Sequence, residues 1–453
     1  MVIIEHFSLI TGQSTGLYKK YISSLKHLGD RRKLSSSEYS NNNSYNVNMN
    51  NGNVNNNNKN NNNRVRPFLA VNNIKEIIPL SDFFLAYKDC RKNKRRTYNQ
   101  LLFELDYESK LVELCNEVNS YRYKIGKSIC FCVTRPKIRE VFAADFRDRI
   151  VHHIIMQRLE PLFERDFIED NYNCRKDKGT LYGVCRLNEK LRVITRNYKD
   201  EAWVGKFDLK GFFMSISKSK LLNLLIDYIK VNYKGDDIDL LIWLCSEVIN
   251  NDPTIDCIKK SNPDLWKKLS PEKSLFTVPK DFGLPIGNLT SQIFGNFYLH
   301  EFDKWMESKF HGFYGRYVDD FYIITKRKED ITSNVQVISN YLSSTRGGRL
   351  HPDKIYIQPA RHGIKFTGYQ IKMGRIYLGN YSLGNFMNII LKYNKIESPT
   401  EKEIESFISS LNSYLGFAIH TRSVGIIRRN ILKLISKNWW KYIKQKDYYV
   451  YKK

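Results

Sequence analysis

Two adjacent aspartates, Asp319 and Asp320, lie between two apolar, strand-like runs within residues 314–325. Neighbouring side chains of a strand point to opposite faces, so adjacent acids can converge on one site only at a turn. Burying such a pair is costly unless a cation neutralises the charges. The pattern therefore predicts a tight two-stranded hairpin over 314–325, with the acids at its turn and a divalent metal ion beside them.

A third acid, Asp208, ends a predicted strand over residues 202–209. If that strand lies beside the hairpin, Asp208 and Asp319 could jointly hold two magnesium ions about 4 Å apart, the arrangement used for in-line attack on a phosphate. Carboxylate oxygens are hard ligands that suit magnesium. The alternative is that Tyr-x-Asp-Asp occurs here by chance. Alone, this motif gives moderate support for a two-metal site, and together with further motifs it gives strong support.

The charge balance predicts a polyanionic partner. Lys and Arg total 73 against 47 Asp and Glu, a formal net charge of +26, although a basic chain that merely stays soluble is the alternative. The eight cysteines show no C-x-x-C pair, which favours reduced thiols in a cytoplasmic protein over zinc or disulfides. Without a run of about eighteen apolar residues or a signal peptide, we expect neither membrane insertion nor export.

The pattern along the chain separates a low-complexity start from a folded body. Residues 41–63 are mostly asparagine and cannot bury enough apolar surface to offset the entropy of ordering. Helical spacing covers 79–119, a strand 128–133, a helix 146–163 that Pro161 perturbs, and a strand pair 365–377. A basic cluster at 91–96 is either a solvated face or a nucleic-acid contact. After His420 the sequence contains ten Lys and Arg residues and a single acid, Asp447. This basic tail is a candidate nucleic-acid clamp.

A set of sequence blocks together resembles the reverse transcriptase family, over about residues 80–430. Three upstream blocks look like that family's fingers, and five later blocks follow in its order at compatible spacings. In chain order they are RPKIRE (135–140), FRDR (146–149), NCRKDKGT (173–180), FD with FF (207–208, 212–213), GLPIGNLTSQ (283–292), YVDD (317–320), LHPDKI (350–355) and FTGY (366–369).

The resemblance implies an α+β right-hand polymerase fold with fingers, a palm built on an antiparallel sheet, and a helical thumb. On this basis residues 1–66 are a leader and Asn-rich disordered linker, which the family core lacks. Residues 67–205 form the fingers, 206–378 the palm and 379–453 the helical basic thumb. The implied activity is RNA-directed DNA synthesis with two Mg²⁺ ions, an RNA template, a DNA or RNA primer and deoxynucleoside triphosphates.

The family's catalytic and metal-binding positions transfer to particular residues. Asp208, Asp319 and Asp320 match the catalytic acids, and together with Leu209 they are the expected metal-binding positions. Lys354 resembles the candidate general acid that protonates pyrophosphate, with a solvated lysine as the alternative.

Five residues are the expected nucleotide contacts: Lys137, Arg139, Phe213, Ile286 and Gln292. Lys137 and Arg139 would hold the triphosphate by charge-assisted hydrogen bonds, although Lys137 could equally belong to a surface cluster. Phe213, five residues after Asp208, would pack beneath the sugar and leave no room for a 2′-hydroxyl. The alternative is that Phe213 is ordinary palm core.

One subgroup fits best. At the block that corresponds to GLPIGNLTSQ (283–292), most reverse transcriptases have Gln after the proline, whereas Ile286 follows Pro285 here. This form looks like the reverse transcriptases of bacterial and phage diversity-generating retroelements, which copy a template RNA with errors at adenines and work with a small basic accessory protein. The alternatives are a phage-defence reverse transcriptase and a degenerate, maturase-like RNA-binding protein, against which the three intact aspartates argue.

Two pairs of adjacent residues each allow two interpretations. His152 and His153 diverge by about 100° on a helix, so they cannot share a metal ion and are either structural or template contacts. Trp439 and Trp440 either stack on nucleic acid or pack the thumb core.

Overall fold

The computed structural model describes residues 76–92, 97–134 and 137–453, and the backbone of three short strands before them. These strands, β1 (Lys33–Ser35), β2 (Tyr45–Asn48) and β3 (Asn53–Asn56), pair antiparallel in that order. Their pairing differs from the predicted disorder, because a ladder of main-chain hydrogen bonds needs no apolar side chains. The rest of the predicted leader and linker, and parts of the 91–96 and 135–140 motifs, lie outside the described residues.

The remaining chain alternates helices with short strands. The strands are β4 (Ser128–Val133), β5 (Arg139–Ala143), β6 (Trp203–Asp208), β7 (Cys257–Lys259), β8 (Phe313–Tyr317), β9 (Asp320–Thr325), β10 (Tyr356–Pro359), β11 (Ile364–Phe366), β12 (Tyr369–Lys372), β13 (Arg375–Leu378), β14 (Ile443–Lys446) and β15 (Tyr449–Lys452). The α-helices are α1 (Leu80–Arg91), α2 (Tyr98–Glu104), α3 (Tyr107–Asn119), α4 (Phe146–Asp166), α5 (Thr180–Ile194), α6 (Phe212–Ser215), α7 (Lys218–Asn232), α8 (Ile238–Asn250), α9 (Asp264–Lys267), α10 (Leu289–Tyr298), α11 (His300–Lys309), α12 (Glu329–Thr332), α13 (Val335–Arg346), α14 (Asn380–Tyr393), α15 (Glu401–Ala418) and α16 (Val424–Ile426). Shorter helical turns are the 3₁₀ segments Pro271–Lys273, Pro352–Lys354, Ala360–His362, Leu432–Leu434 and Trp439–Lys441 and the π-helical Ile427–Ile431.

The chain divides into two compact units, each built from separate stretches. The first contains Met1–Gly126, Ala144–Gln157 and Lys234–Val248, and the second contains Lys127–Ala143, Arg158–Tyr233 and Ile249–Lys453. This division follows different boundaries from the predicted fingers, palm and thumb, whose limits stay a prediction.

From residue 76 onward, the described part of the first unit is helical, as the apolar spacing over 79–119 predicts. The Asn119 side chain holds the chain before α1, accepting a hydrogen bond from the Ile78 amide at 2.7 Å and donating to its carbonyl at 2.9 Å. Asp148 accepts hydrogen bonds from the Tyr123 hydroxyl and the Gly126 amide, and burial raises the pKa of its carboxyl to about 6. These contacts place Asp148 of the FRDR motif in a structural role.

His152 lies inside the same unit and is buried, which excludes the template-contact interpretation for this residue. Burial lowers the pKa of its imidazole to about 3, and its Nδ1 has no hydrogen-bond partner in the described chain. The neutral ring is therefore a core side chain. The α4 helix around it continues through Pro161 to Asp166, five residues beyond the position where the sequence predicts a perturbed last turn.

The second unit is built on a four-stranded antiparallel sheet in the order β10-β6-β9-β8. The aromatic and β-branched residues of β9 favour a strand that is covered on both faces. Phe321 packs against Phe302 of α11, with ring centroids 5.6 Å apart, while Lys190 of α5 lies 5.7 Å from the ring of Tyr322. Because neighbouring strand residues point to opposite faces, α5 and α11 cover opposite sides of the sheet.

Two strand predictions are confirmed in part. The hairpin predicted over 314–325 is present as β8 and β9. The strand pair predicted over 365–377 is instead the three-stranded sheet β11-β12-β13. The extra strand exists because the chain turns twice, at Thr367-Gly368 and at Met373-Gly374, where all four residues have positive φ.

The C-terminal part of this unit has its own apolar core, formed mainly by α14, α15 and the segments that follow. Trp439 is fully buried in this core and donates from Nε1 to the Tyr393 carbonyl at 2.8 Å, and Trp440 packs against the same cluster. Core packing is therefore the correct interpretation for this pair. The prediction of a wholly helical thumb is wrong at its end, where β14 and β15 form a hairpin that packs on α15.

Candidate active site

The register of the central sheet brings the three predicted acids to one end of it. Asp208 on β6 pairs directly with Asp320 on β9, while Asp319 occupies the two-residue turn between Tyr317 and Asp320. The Leu209 amide donates to the Asp319 carbonyl at 3.0 Å, which ties the end of β6 to the turn. The convergence that the sequence predicts for these acids is present.

Side-chain alternation explains why the acids share a face. Phe207 stacks on its cross-strand partner Phe321, with ring centroids 5.0 Å apart, on the α11 side of the sheet. The next residues, Asp208 and Asp320, must then point to the other side. Lys206, two residues before Asp208, shares that face and reaches diagonally to Asp320, with Nζ 3.4 Å from Oδ2.

The turn itself is strained, and a buried arginine side chain holds it in place. Val318 has φ of +56°, a left-handed conformation that is rare for a β-branched residue. Such a residue persists only where the surroundings fix it. Its side chain is buried, and its carbonyl accepts a 2.8 Å hydrogen bond from Nη1 of Arg316, which is itself fully buried.

Arg316 is fixed in turn by a buried carboxylate. Its Nε and Nη2 each donate to Asp303 on α11 at 2.6 Å, a bidentate ion pair, and Nη1 also reaches the Asn296 side chain at 3.3 Å. Asp303 additionally accepts from the Tyr314 hydroxyl at 2.7 Å. The guanidinium therefore connects the Val318–Asp319 turn rigidly to α10 and α11.

The acids crowd negative charge into a half-buried position. Desolvation, together with the nearby Asp320 and Asp208, raises the pKa of Asp319 to about 7. Desolvation also raises the pKa of Asp320, although Lys206 opposes the change. Each additional negative charge at this end of the sheet is therefore costly without a cation.

Two lysines supply part of that positive charge. Lys354 places its Nζ 2.5 Å from Oδ1 of Asp208, and Lys206 faces Asp320 as described above. The main chain before Lys354 is anchored beside the site, since the His351 amide donates to the Asp208 carbonyl at 2.8 Å. Lys354 is thus at the site, and its role as general acid stays a prediction.

In the described part of the chain, no three His, Cys, Asp or Glu side chains are placed so that they could hold a metal ion. The carboxylates of Asp208 and Asp320 instead face ammonium groups. The donor set nevertheless suits a divalent cation, because the three carboxylates are hard ligands and because desolvation and the charges of Asp320 and Asp208 raise the pKa of Asp319. Leu209 could contribute only its main-chain carbonyl oxygen.

The predicted nucleotide contacts occupy different surroundings. Arg139 opens β5 and lies close enough to Asp319 to oppose the rise of its pKa, so it is at the site. Lys137 is exposed, with no described contact to the acids. Gln292 is buried in α10 among other buried polar residues.

Phe213 and Ile286 meet in one apolar cluster. Both are half-buried and pack against a small core formed by Cys130, Phe142, Met214 and Leu275. The Ile286 carbonyl accepts a 2.8 Å hydrogen bond from the Phe142 amide. Both residues are therefore partly packed and partly exposed, and for Phe213 the packing agrees with the alternative that it is ordinary palm core.

Gly287 lets the motif approach β5 closely. It has φ of +124°, and a Cβ there would lie 2.7 Å from the Phe142 carbonyl oxygen. Any other residue at this position would separate the motif from the strand.

Three residues of the site escaped the sequence interpretation: Lys206, Arg316 and Asp303. Lys206 carried a signal, because a residue two positions before Asp208 on a strand must share its face. Arg316 lies in the motif itself, but its partner Asp303 is thirteen residues earlier on a different element, and no local pattern pairs them.

A protein-family comparison identifies the class of this protein. The family "reverse transcriptase (RNA-dependent DNA polymerase)" matches residues 134–371, just over half of the 453-residue chain. The chain therefore belongs to the reverse transcriptase family, and the α+β right-hand polymerase fold expected from the sequence is confirmed. The matched range contains all three aspartates and Lys354.

Individual relatives are distant. Protein YkfC of Escherichia coli (strain K12) is 21% identical over 268 residues, which cover 52% of this chain and 63% of YkfC. The chain thus spans less than two thirds of that relative's length. None of the helices in the described residues combines the length and apolarity needed to cross a membrane.

Similar solved structures are telomerases. Apo telomerase from Candida tropicalis is 14% identical, with 70% of this chain and 57% of the other covered at a TM-score of 0.43. The same enzyme truncated from its C-terminal domain is 15% identical, with 59% of each chain covered at a TM-score of 0.42. Telomerase from Candida albicans in complex with a fragment of telomeric RNA is 12% identical, with 79% and 72% covered at a TM-score of 0.35.

Replacing Arg316 with methionine is expected to lower the free energy of unfolding by about 3–5 kcal/mol, because Asp303 would remain buried without its partner. The matched control is Arg327→Met, which breaks an exposed ion pair with Asp330 and should change stability by less than about 1 kcal/mol. Urea denaturation measures both. Equal losses in the two variants would contradict a supporting role for the buried pair.

Proposed function

We propose that this chain is an RNA-directed DNA polymerase that extends a primer on an RNA template. The single observation that carries the proposal is the register that sets Asp208 opposite Asp320, with Asp319 in the adjoining turn. Family membership and the net charge of +26 support it, because a polymerase must hold the phosphate backbone of a template and primer.

The acids would hold two Mg²⁺ ions, which when bound lower the pKa of the primer 3′-hydroxyl and stabilise the leaving pyrophosphate. Asp208, Asp319 and Asp320 are the proposed ligands, with the main-chain carbonyl of Leu209 beside them. Binding of the cations would offset the desolvation and the neighbouring negative charges that together raise the pKa of Asp319.

The surrounding residues bind and orient the nucleotide. Arg139 would donate hydrogen bonds to the triphosphate from its position near Asp319, and Lys137 would add positive charge to the same end. Lys354 would leave its ion pair with Asp208 and donate a proton to pyrophosphate. Phe213 would bound the space beneath the sugar, and buried Gln292 would support the motif that precedes α10.

We further infer that copying is error-prone at template adenines, as part of a diversity-generating retroelement with a small basic accessory protein. The supporting observation is Ile286, whose half-buried apolar side chain offers no hydrogen bond to align a base pair. Adenine-differing repeats in the flanking DNA would favour this role over a phage-defence reverse transcriptase.

Asp319→Asn is expected to abolish magnesium-dependent cDNA synthesis, because the change removes a metal-binding charge without removing packing volume. Extension of a primed RNA template measures the loss, and circular dichroism and RNA affinity check that the fold and binding persist. The control, Asp264→Asn on the exposed helix α9, should extend normally. Near wild-type extension by Asp319→Asn would remove the aspartate from the mechanism.

Phe213→Ala is expected to raise ribonucleotide incorporation relative to deoxynucleotide incorporation, because loss of the ring opens space beneath the sugar. Only the ratio is informative, since truncation in a core can also cost about 3–5 kcal/mol of stability. Phe276→Ala, which removes another ring from the same cluster, is the control. An equal shift of the ratio in both variants would assign Phe213 to packing alone.

Ile286→Gln is expected to lower misincorporation opposite template adenine more than opposite other bases, with a modest effect on total synthesis. An amide can align the nascent pair by hydrogen bonding, which isoleucine cannot do. Ile286→Leu keeps the apolar contact and should keep the wild-type error pattern. Sequencing of cDNA made on one adenine-containing RNA compares the three proteins, and unchanged adenine errors in Ile286→Gln would exclude the residue from fidelity.

A further inference from the structure

The C-terminal ribbon, defined as β14 and β15 with their connecting turn, is anchored by one face. Ile443 and Val450 on that face are fully buried in the core around α14 and α15. The Asn412 side chain of α15 donates to the Val450 carbonyl and accepts from the Val450 amide, both at 2.7 Å. The ribbon is therefore a fixed element rather than a loose end of the chain.

The opposite face of the ribbon carries lysine and tyrosine side chains in cross-strand pairs. Lys444 lies opposite Tyr451, and Lys446 lies opposite Tyr449. Because residues alternate across a strand, these four point away from Ile443 and Val450. Tyr449 still packs partly against the core, whereas both lysines are exposed and Tyr451 is 46% exposed.

The turn of the ribbon adds a second aromatic group next to a cation. The guanidinium of Arg428 lies 5.0 Å from the ring centroid of Tyr448, a cation–π contact that fixes the ring while 42% of the residue stays exposed. Two exposed tyrosines thus lie on this ribbon among basic side chains.

Charge identifies the kind of partner. Asp447 is the only acid from residue 420 to the last residue of the sequence, and it faces ten basic residues there: Arg422, Arg428, Arg429, Lys433, Lys437, Lys441, Lys444, Lys446, Lys452 and Lys453. One of them, Lys452, pairs with Glu401 of α15, whereas Lys444 and Lys446 on the outer face have no ion pair with any described residue. Such a surface is complementary to a polyanion.

The exposed rings distinguish between forms of nucleic acid. Bases of a duplex are stacked on one another and cannot stack on a protein ring, whereas unpaired bases can. Lysines beside an aromatic platform match the repeated phosphates of a single strand, and stacking tolerates any base. The chemistry therefore favours a single strand over a duplex.

We propose that the outer face of the C-terminal ribbon binds single-stranded nucleic acid, with Tyr451 stacked on a base and Lys444 and Lys446 paired with neighbouring phosphates. The site is separate from the three aspartates. It deepens the proposed function, on which it rests for the presence of a nucleic-acid ligand, by adding a contact for a strand outside the template-primer duplex.

The test measures fluorescence anisotropy of labelled 12-nucleotide oligouridine and oligothymidine with the full chain. An excess of unlabelled blunt duplex occupies duplex-binding surfaces. Tyr451→Ala should weaken single-strand affinity about tenfold, the effect of losing one base–aromatic stack, while Tyr451→Phe keeps it. The control Tyr98→Ala removes an exposed tyrosine of α2 and should have no effect.

Salt dependence separates the lysines from the ring. Lys444→Ala should lower the slope of log affinity against log salt by about 0.7, as for one phosphate contact on a single strand, whereas Tyr451→Ala leaves the slope unchanged. Lys309→Ala, on the exposed end of α11, is the matched control. A larger loss with oligouridine identifies the RNA template as the ligand, a larger loss with oligothymidine the DNA product, and equal losses a face that accepts either strand.

Wild-type single-strand affinity in Tyr451→Ala, or an equal loss of affinity for labelled blunt duplex, would overturn the proposal. The latter result would make the ribbon a duplex contact, and the former would leave a protein partner as its occupant. The binding assay needs no DNA synthesis, so failure of the polymerase proposal is seen separately, in primer extension by the wild-type chain.

Discussion

The ion pair between Arg316 and Asp303 fixes the turn on which the candidate active site depends. Both side chains are buried, and their bidentate contact leaves Nη1 of Arg316 to hold the Val318 carbonyl. A left-handed valine between β8 and β9 would otherwise relax, and Asp319 would move with it. The stability of α11, which carries Asp303, is in this way coupled to the positions of the acids at the end of the sheet.

The same end of the sheet balances negative charge in two ways. Lys206 and Lys354 face Asp320 and Asp208, while Asp319 lacks a lysine and has its pKa raised by desolvation and its acidic neighbours. This distribution is compatible with the proposed binding of metal ions, because flexible ammonium groups can move away from the carboxylates.

The residues proposed to contact the nucleotide also pack the protein. Phe213 and Ile286 are part of a small apolar cluster that also receives Phe276 and Leu275 from the segment after β7. That segment is fastened by the buried carboxylate of Glu140, which accepts hydrogen bonds from the Trp266 indole, the Ser274 hydroxyl and the Leu275 amide. A change in this segment would therefore alter the packing around Phe213 and Ile286.

The sequence alone determined the class of the chain and the position of its acids. Alternation of apolar and charged residues around Asp208 and Asp319 requires a strand end and a turn, and those local rules hold whatever surrounds them. The hairpin and the helices of 79–119 follow from such rules, whereas the pairing of β6 with β9, which brings Asp208 to the same end of the sheet as the turn, is a long-range contact. The remaining features depend on long-range contacts, so only the tertiary structure decided them. They are the partner of Arg316, the burial of His152 and Trp439, and the C-terminal ribbon. Short segments such as residues 443–452 have no decisive local preference, so packing on α15 selects strand over helix.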